Sequence, residues 1–576
     1  MQKRFAIFYV IISLFILFFT SSAFAILTPE IPGSIEPGVI GKYLTNQQPQ
    51  FQPAKPQTAT VKPPEEKKSA LGAEAAKIKM TLNKIVLEGN HVYSDKEIEA
   101  LYKDKLGKTI TVADLENIVQ SITNYYRNNG YILTRAILPP QHISNGVVNV
   151  RIIEGYINDV RVQGNPKRAK YLLQKYMDNV KDSRPLQVDD LQYYLRISNE
   201  IPGMNAKAVL EPAKQNVGAS DVNVVAEQKT GSAYFSYDNY GTLFLGPNQL
   251  TGNVTANSIF QSGDTTRLTL LNTTKPQDLR YGDIAHEIPM GDQGFRATIG
   301  VNNSITHPGF TLTPLKLEGD AVNFYALFQH PIIRESDQNF TVNGAFNYVD
   351  SGTDTFEQTL YNDHIRSAQI GFAYDVRDSW LGSNTMGAVI EHGFPWAGAS
   401  TNPWSLSVSR FGADGLFTKV SGSVGRLQRF TSTSRYSAYI YTVGQYSFNP
   451  LLATEQFAFG GSQLGRGYDP AEIIGDRGAA GTLELRADAS PEWYILNSFQ
   501  AYAFYDVGVI WNKRKIVGVK QKQSATSTGF GVRFNFMKNL SGNFMFSQPL
   551  TKEIFAQSLK GEGRDLRGQF SLVAFV

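Results

Sequence analysis

The sequence predicts a transmembrane antiparallel β-barrel of about 16 strands, preceded by two small α/β domains. Three observations predict it. An export signal opens the chain with no apolar helix after it, a β-α-α-β-β pattern occurs twice, and the C-terminal 60% is short strands with one apolar and one charged face. The chain has 576 residues, too many for one compact core. It contains no cysteine, so disulfides, thiolate nucleophiles and cysteine-bound metals are excluded. The net charge of +4 is spread among both signs, which speaks against a nucleic-acid partner, since such a protein concentrates its basic residues in a stripe. Glycine (50), tyrosine (28) and phenylalanine (35) are abundant while charged residues make up only 18%, a balance that suits strands with aromatic girdles.

Taken in order, residues 1–25 read as a secretory signal. Lys3 and Arg4 supply the positive start, an apolar run extends from Phe5 to about Phe19, and Ala23-Phe24-Ala25 supplies the cleavage site. No later stretch approaches about 18 consecutive apolar residues, so the mature chain enters a membrane only as a closed barrel. Residues 26–79 read as a linker. Pro29, Pro32, Pro37, Pro49, Pro53, Pro56, Pro63 and Pro64 sit among Gln, Lys and Glu, a composition expected to stay extended or disordered.

Residues 80–156 read as a first α/β domain. A strand around Ile85 and Leu87 ends at Glu88-Gly89-Asn90, and Ser94 with Glu97 forms a capping box for a short helix. A second helix starts near Thr111, carries Leu115, Ile118, Val119, Ile122, Tyr125 and Tyr126 on one face, and stops at Gly130. Strands are expected at Tyr131–Leu138 and Val147–Ile153. Residues 157–229 repeat this order. Val160-Arg161-Val162-Gln163-Gly164-Asn165 echoes Ile85–Asn90, with helices expected at 167–180 and 187–199 and strands near 205–211 and 221–228. Helices then pack on one face of each short sheet.

From 230 to 576 the pattern is strand, turn, strand. About sixteen strands fit, with the alternation clearest late in the chain. Leu483, Leu485, Ala487 and Ala489 oppose Thr482, Glu484, Arg486 and Asp488. Ala501, Ala503, Tyr505, Val507, Val509 and Trp511 oppose Tyr502, Phe504, Asp506 and Gly508. Phe530, Val532, Phe534 and Phe536 oppose Gly529, Gly531, Arg533 and Asn535. One apolar and one charged face require lipid on one side and water or polar partners on the other. Alternation alone does not say which face is outside; the export signal and the strand number favour the membrane barrel over a soluble sandwich.

Three stretches carry a family resemblance. Tyr126–Tyr131, Ala136-Ile137-Leu138-Pro139-Pro140-Gln141 and Val150-Arg151-Ile152-Ile153-Glu154-Gly155 resemble the first POTRA (polypeptide-transport-associated) domain of two-partner secretion transporters. Phe459-Gly460-Gly461-Ser462-Gln463-Leu464-Gly465-Arg466-Gly467-Tyr468-Asp469-Pro470 resembles that family's loop with an Arg-Gly-aromatic tip, and Phe504–Gly508 resembles the strand motif that partners it. The resemblance implies sixteen strands behind two POTRA domains, in the bacterial outer membrane with the POTRA domains in the periplasm. It implies export of one large exoprotein of the TpsA type (a haemolysin or adhesin) without ATP or membrane potential, with no cofactor and no metal. Outer-membrane lipid and the barrel-assembly machinery that inserts the chain are the other partners it implies. A barrel-assembly or lipid-transport factor of the same superfamily is the rival reading. The family's pore-plugging helix could come only from Ser34–Leu44, which Pro37 and Gly38 interrupt, and the chain ends Ala574-Phe575-Val576 where a terminal aromatic is usual.

The expected site is Gly465, Arg466, Gly467 and Tyr468 at a loop tip between strands eleven and twelve, folded into the lumen. Arginine offers a permanently charged donor fork suited to a carboxylate in a narrow lumen. Asp506, on the lumenal face, is its expected anchor, and the glycines let the backbone turn around it. Glu484, Arg486, Asp488 and Arg533 are expected to line the lumen. Asp375–Asp378 reads as a strand end with an Asp–Arg pair at its solvated rim. Enzyme signatures are missing: there is no H-E-x-x-H, no G-x-S-x-G, and no Lys-Ser/Thr after the loop glycines.

Overall fold

A computed structural model describes residues 32–46, 78–214, 216–275, 278–490, 495–513, 520–537 and 539–576. The expected signal at 1–25 lies outside them, as do 26–31 and 47–77 of the expected linker. Within that linker the expectation of an extended chain fails at Pro37–Asn46, which forms a helix, α1. Its stability comes from the barrel around it. Ile35, Ile40 and Leu44 pack against Phe244, Leu245, Leu271, Leu279 and Tyr281 of the barrel. Pro37 does not interrupt the helix because it is the first helical residue, where a missing N–H costs nothing and the fixed φ is already correct.

The first α/β domain follows its local signals. Ser94 caps α2 (Asp95–Glu99), with Glu97 accepting from the Ser94 amide at 2.8 Å. Thr111 caps α3 (Val112–Asn128) in the same reciprocal way with Asp114. Gly130 ends α3 with φ 93°. Lys84–Glu88 runs parallel to Val147–Ile153, which pairs antiparallel with Arg135–Ile137. The strand expected at Tyr131–Leu138 is thus shorter. Tyr131–Thr134 instead makes a turn, closed by Thr134 N–H to Tyr131 C=O at 3.0 Å, because Ile132 and Leu133 leave their own sheet to pack on the next domain's core. That second domain has the same order, with α4 (Lys170–Asp178), α5 (Val188–Asn199) and a sheet of Tyr156–Asn165, Ala219–Gln228 and Met204–Pro212. The repeated glycine has one cause in both domains. Gly89 and Gly164 take φ 87° and 88°, and a Cβ on either would fall within 2.4 or 2.5 Å of a carbonyl on the neighbouring strand.

Sixteen antiparallel strands then close into a barrel. They are β1 (Gly231–Asp238), β2 (Gln249–Asn257), β3 (Thr265–Thr273), β4 (Leu279–Met290), β5 (Phe295–Thr306), β6 (Leu317–Arg334), β7 (Gln338–Thr355), β8 (Gln358–Arg377), β9 (Gly382–Gly393), β10 (Thr418–Arg429), β11 (Tyr436–Ser447), β12 (Arg477–Ala489), β13 (Leu496–Trp511), β14 (Lys522–Phe536), β15 (Leu540–Pro549) and β16 (Arg567–Phe575). The seam between β16 and β1 is short, running from Ser571 opposite Asp238 to Phe575 opposite Tyr234. The β7–β8 hairpin is the longest, turning at Phe356 and Glu357 with φ 49° and 62°. Burial decides which face is outside. Leu485 and Phe530 are 55% and 58% exposed on the outer wall, while Glu484 and Asp506 on the opposite faces are 2% and 0% exposed. The apolar face is therefore outside, the reverse of a soluble sandwich, and calls for lipid. Among the described residues no helix is long and apolar enough to cross a membrane.

Candidate functional site: a lumenal loop and its anchors

The loop between β11 and β12 enters the lumen. A two-stranded ribbon, Phe457–Phe459 against Ile473–Gly475, forms its stem. Phe457, Phe459, Tyr468 and Ile473 give it an apolar spine packed on Ala480, Ile510 and Ala525 of the wall. At the tip, Gly465 adopts φ 79°, and a Cβ on Gly467 would sit 2.6 Å from the Ser527 side chain, so both glycines are needed for the close approach.

Arg466 is 3% exposed and every nitrogen of its guanidinium is used. Nε and Nη2 form a fork on Asp506 at 3.0 and 2.8 Å, Nη1 meets Glu484 at 2.5 Å, and Nη2 also donates to Thr482 at 2.7 Å. Its plane lies over the Phe504 ring, 3.6 Å from the centroid. Asp506 further accepts the backbone N–H groups of Gly465 and Arg466 at 3.0 and 2.9 Å. The carboxylate therefore holds both the side chain and the turn that carries it. Around the tip, Gly467 N–H donates to Ser527, Tyr468 Oη to the Thr526 carbonyl, and Ser547 Oγ to the Arg466 carbonyl.

The expected lumenal residues divide. Glu484 is the hub, taking Arg486 and Arg533 at 2.7 Å each besides Arg466. Asp488 lies apart and exposed near the end of β12, bonded to Gln500. Asp378, in the turn after β8, pairs with Arg426 of β10 at 2.5 Å, so the acid–arginine pair at this strand end reaches to another strand and does not form within Asp375–Asp378. Thr482, Phe504, Ser527 and Ser547 were not singled out from sequence, although the alternation of β12 and β13 already put Thr482 and Phe504 on the Glu484 and Asp506 faces.

A second set of contacts joins α1 to this loop. Lys42 bonds Glu455 at 2.9 Å, at the root of the stem, and Glu455 also takes buried Lys419, which pairs in turn with Glu391 at 3.2 Å. Tyr43 Oη accepts the Ser462 N–H at 3.0 Å. At the other end Glu36 accepts from Tyr361, and Ser304 Oγ donates to the Pro37 carbonyl at 2.6 Å. The helix lies along the inner side of β4–β7, tied to wall and loop alike.

The family model described as haemolysin secretion/activation protein ShlB/FhaC/HecB matches residues 218–534, more than half of the chain. The chain belongs to that family. A ShlB-type POTRA domain matches residues 80–155. Among curated relatives, the heme/hemopexin transporter protein HuxB of Haemophilus influenzae (strain 86-028NP) is 27% identical over 275 residues, 47% of this chain and about half (48%) of the relative's length. HuxB from another Haemophilus influenzae source is 23% identical across 84% of this chain and 85% of that one. Among solved structures, CdiB from Escherichia coli superposes with a TM-score of 0.71 at 18% identity, covering 94% of this chain and 98% of that one. This member of the haemolysin secretion/activation family is thus an outer-membrane transporter of the two-partner secretion class, its POTRA domains in the periplasm.

Proposed function

We propose that this transporter exports one large exoprotein, which the POTRA domains receive in the periplasm and the barrel passes outward, with the Arg466 loop holding the pore in one arrangement. The observation that carries the reading is Arg466 itself: a buried guanidinium shared between carboxylates of two adjacent strands, β12 and β13, and carrying the loop that fills the lumen. A buried ion pair of this kind is weak evidence for stability and better explained as fixing one of several arrangements. Glu484, Arg486 and Arg533 surround the tip and meet the exoprotein in transit; Asp488, exposed at the end of β12, meets it at the entrance. We read no catalytic role in the chain; lipid is the solvent of the outer wall, and the barrel-assembly machinery inserts it.

The test is co-expression with a candidate exoprotein of the TpsA type, comparing medium with periplasm. The wild type is expected to deliver the exoprotein to the medium, and Arg466→Ala to retain it. Retention by both, with other barrel proteins failing to assemble when this chain is absent, would replace secretion by the assembly-factor reading.

A further inference from the structure

The second POTRA domain is joined to the barrel by two residues, Lys229 and Thr230, between the last sheet strand and β1. A single short joint leaves an arm free to swing unless something else holds it. The structure has a second, non-covalent attachment on the far side of the domain. From α4 Leu172 N–H donates to Ser262 Oγ at 3.0 Å, and from its C-cap Asn179 Nδ2 donates to the Asp292 carbonyl at 3.2 Å. From α5, Tyr194 Oη lies 3.4 Å from Gln293 Oε1 and Arg196 Nη1 donates to the Arg334 carbonyl at 2.8 Å. These partners sit on the periplasmic turns after β2 and β4 and at the end of β6.

Most of these bonds run to backbone carbonyls or between neutral groups. One is ionic. Glu200, the residue that caps α5, takes Arg334 Nε at 2.6 Å and faces Arg296 Nη2 at 3.9 Å. Both arginines are largely buried, with side chains 13% and 16% exposed, and Arg296 is shared with Glu287 of the barrel at 2.9 Å. Arg334 has no other carboxylate within 4 Å among the described residues. Charge-assisted bonds are about twice as strong as neutral ones, and removing one partner of a desolvated pair leaves the other stranded. Small neighbours set the fit: Gly263 and Gly294 lie under Leu172 and Ile197, where a Cβ would fall 2.3 and 3.4 Å from those side chains.

We propose that Glu200 is a positioning residue for secretion: its pair with Arg334 and Arg296 seats the second POTRA domain on the rim below β5 and β6 and fixes the angle at which the arm meets the lumen. This rests on the secretion reading, so the test has one readout that does not depend on it. The chain lacks cysteine, so Tyr194→Cys with Gln293→Cys gives a background-free site for a short bis-maleimide linker, read in whole cells as the yield of intramolecular cross-link. Glu200→Arg is expected to lower cross-linking and exoprotein in the medium each roughly tenfold, the effect of about 1.4 kcal/mol in seating. Barrel insertion, read as heat-modifiable migration, stays unchanged. Adding Arg334→Glu, which restores an opposite pair, is expected to recover at least half of both losses. Unchanged cross-linking in Glu200→Arg, unchanged secretion despite lost cross-linking, or a double variant no better than the single one each overturn the proposal. Failure of the wild type to secrete, with cross-linking intact, would count against the secretion reading alone.

Discussion

Arg466 forms bonds that a lysine cannot copy. Its fork meets both oxygens of Asp506 while a third nitrogen reaches Glu484, and an ammonium on a flexible stem supplies neither the planar fork nor the stacking over Phe504. We expect Arg466→Lys to keep the charge and still lose most secretion. Arg466→Ala is expected to cost about 3 kcal/mol locally, since Asp506 keeps only two backbone donors in a buried site; protease sensitivity of the 448–476 loop measures it. In the first POTRA domain, bonds from the Thr111 amide and hydroxyl hold the Asp114 carboxyl below the ordinary carboxylate range. A depressed value means a contribution that is present above the unfolded carboxylate's pKa and disappears as pH falls through the folded one. Asp114→Asn should therefore destabilise the domain at neutral pH, and the deficit should shrink as pH falls below the ordinary carboxylate range, as followed by thermal melting across a pH series. The Arg466–Asp506 pairing was legible because each residue sits in a local pattern. Ser527 and Ser547 were not: they are brought to the tip by the register of β14 and β15, which no short window of sequence encodes.

At the scale of elements, what was legible was whatever carried its own period or cap. α3 begins at Thr111 and β12–β14 alternate as read because helix caps and period-two faces are local properties. α1 was not legible from its own residues, and only the family resemblance pointed to Ser34–Leu44: ten residues with two glycines do not hold a helix alone, and the wall supplies what the segment lacks. The same contact predicts how to displace it. A Cβ on Gly38 would lie 2.2 Å from Thr454 Oγ1 and 2.9 Å from Ser351 Oγ. Gly38→Val should push α1 out of the lumen, seen as a higher single-channel conductance in planar lipid bilayers with barrel assembly unchanged. Conductance equal to wild type would mean that the helix does not obstruct the pore.

For the molecule as a whole, the barrel wall inverts the rule of soluble proteins, and a substitution tests that inversion. Phe530 is exposed mid-strand in β14 with Phe546 beside it at 5.6 Å between centroids. Phe530→Arg should cost about 2–4 kcal/mol in a bilayer and reduce the heat-modifiable, folded fraction, whereas the same change in a water-facing loop would be tolerated. The fold class was legible because about sixteen expected strands, the late ones clearly alternating, behind an expected export signal leave few architectures; the seating of the POTRA arm was not, since its contacts join segments about a hundred residues apart. Orientation follows from connectivity. The arm enters β1 from the periplasm, so odd-numbered strands run outward and the Phe356-Glu357 turn lies outside the cell. A strand of 18 residues spans about 60 Å at 3.3 Å per residue, well beyond a hydrocarbon core of about 30 Å even when tilted. The outer part of β7–β8 is thus a stiff, hydrogen-bonded ribbon standing clear of the bilayer. Its tip is a surface that an antibody approaching the bacterium would meet, and a rigid mast on which a grafted epitope could be displayed.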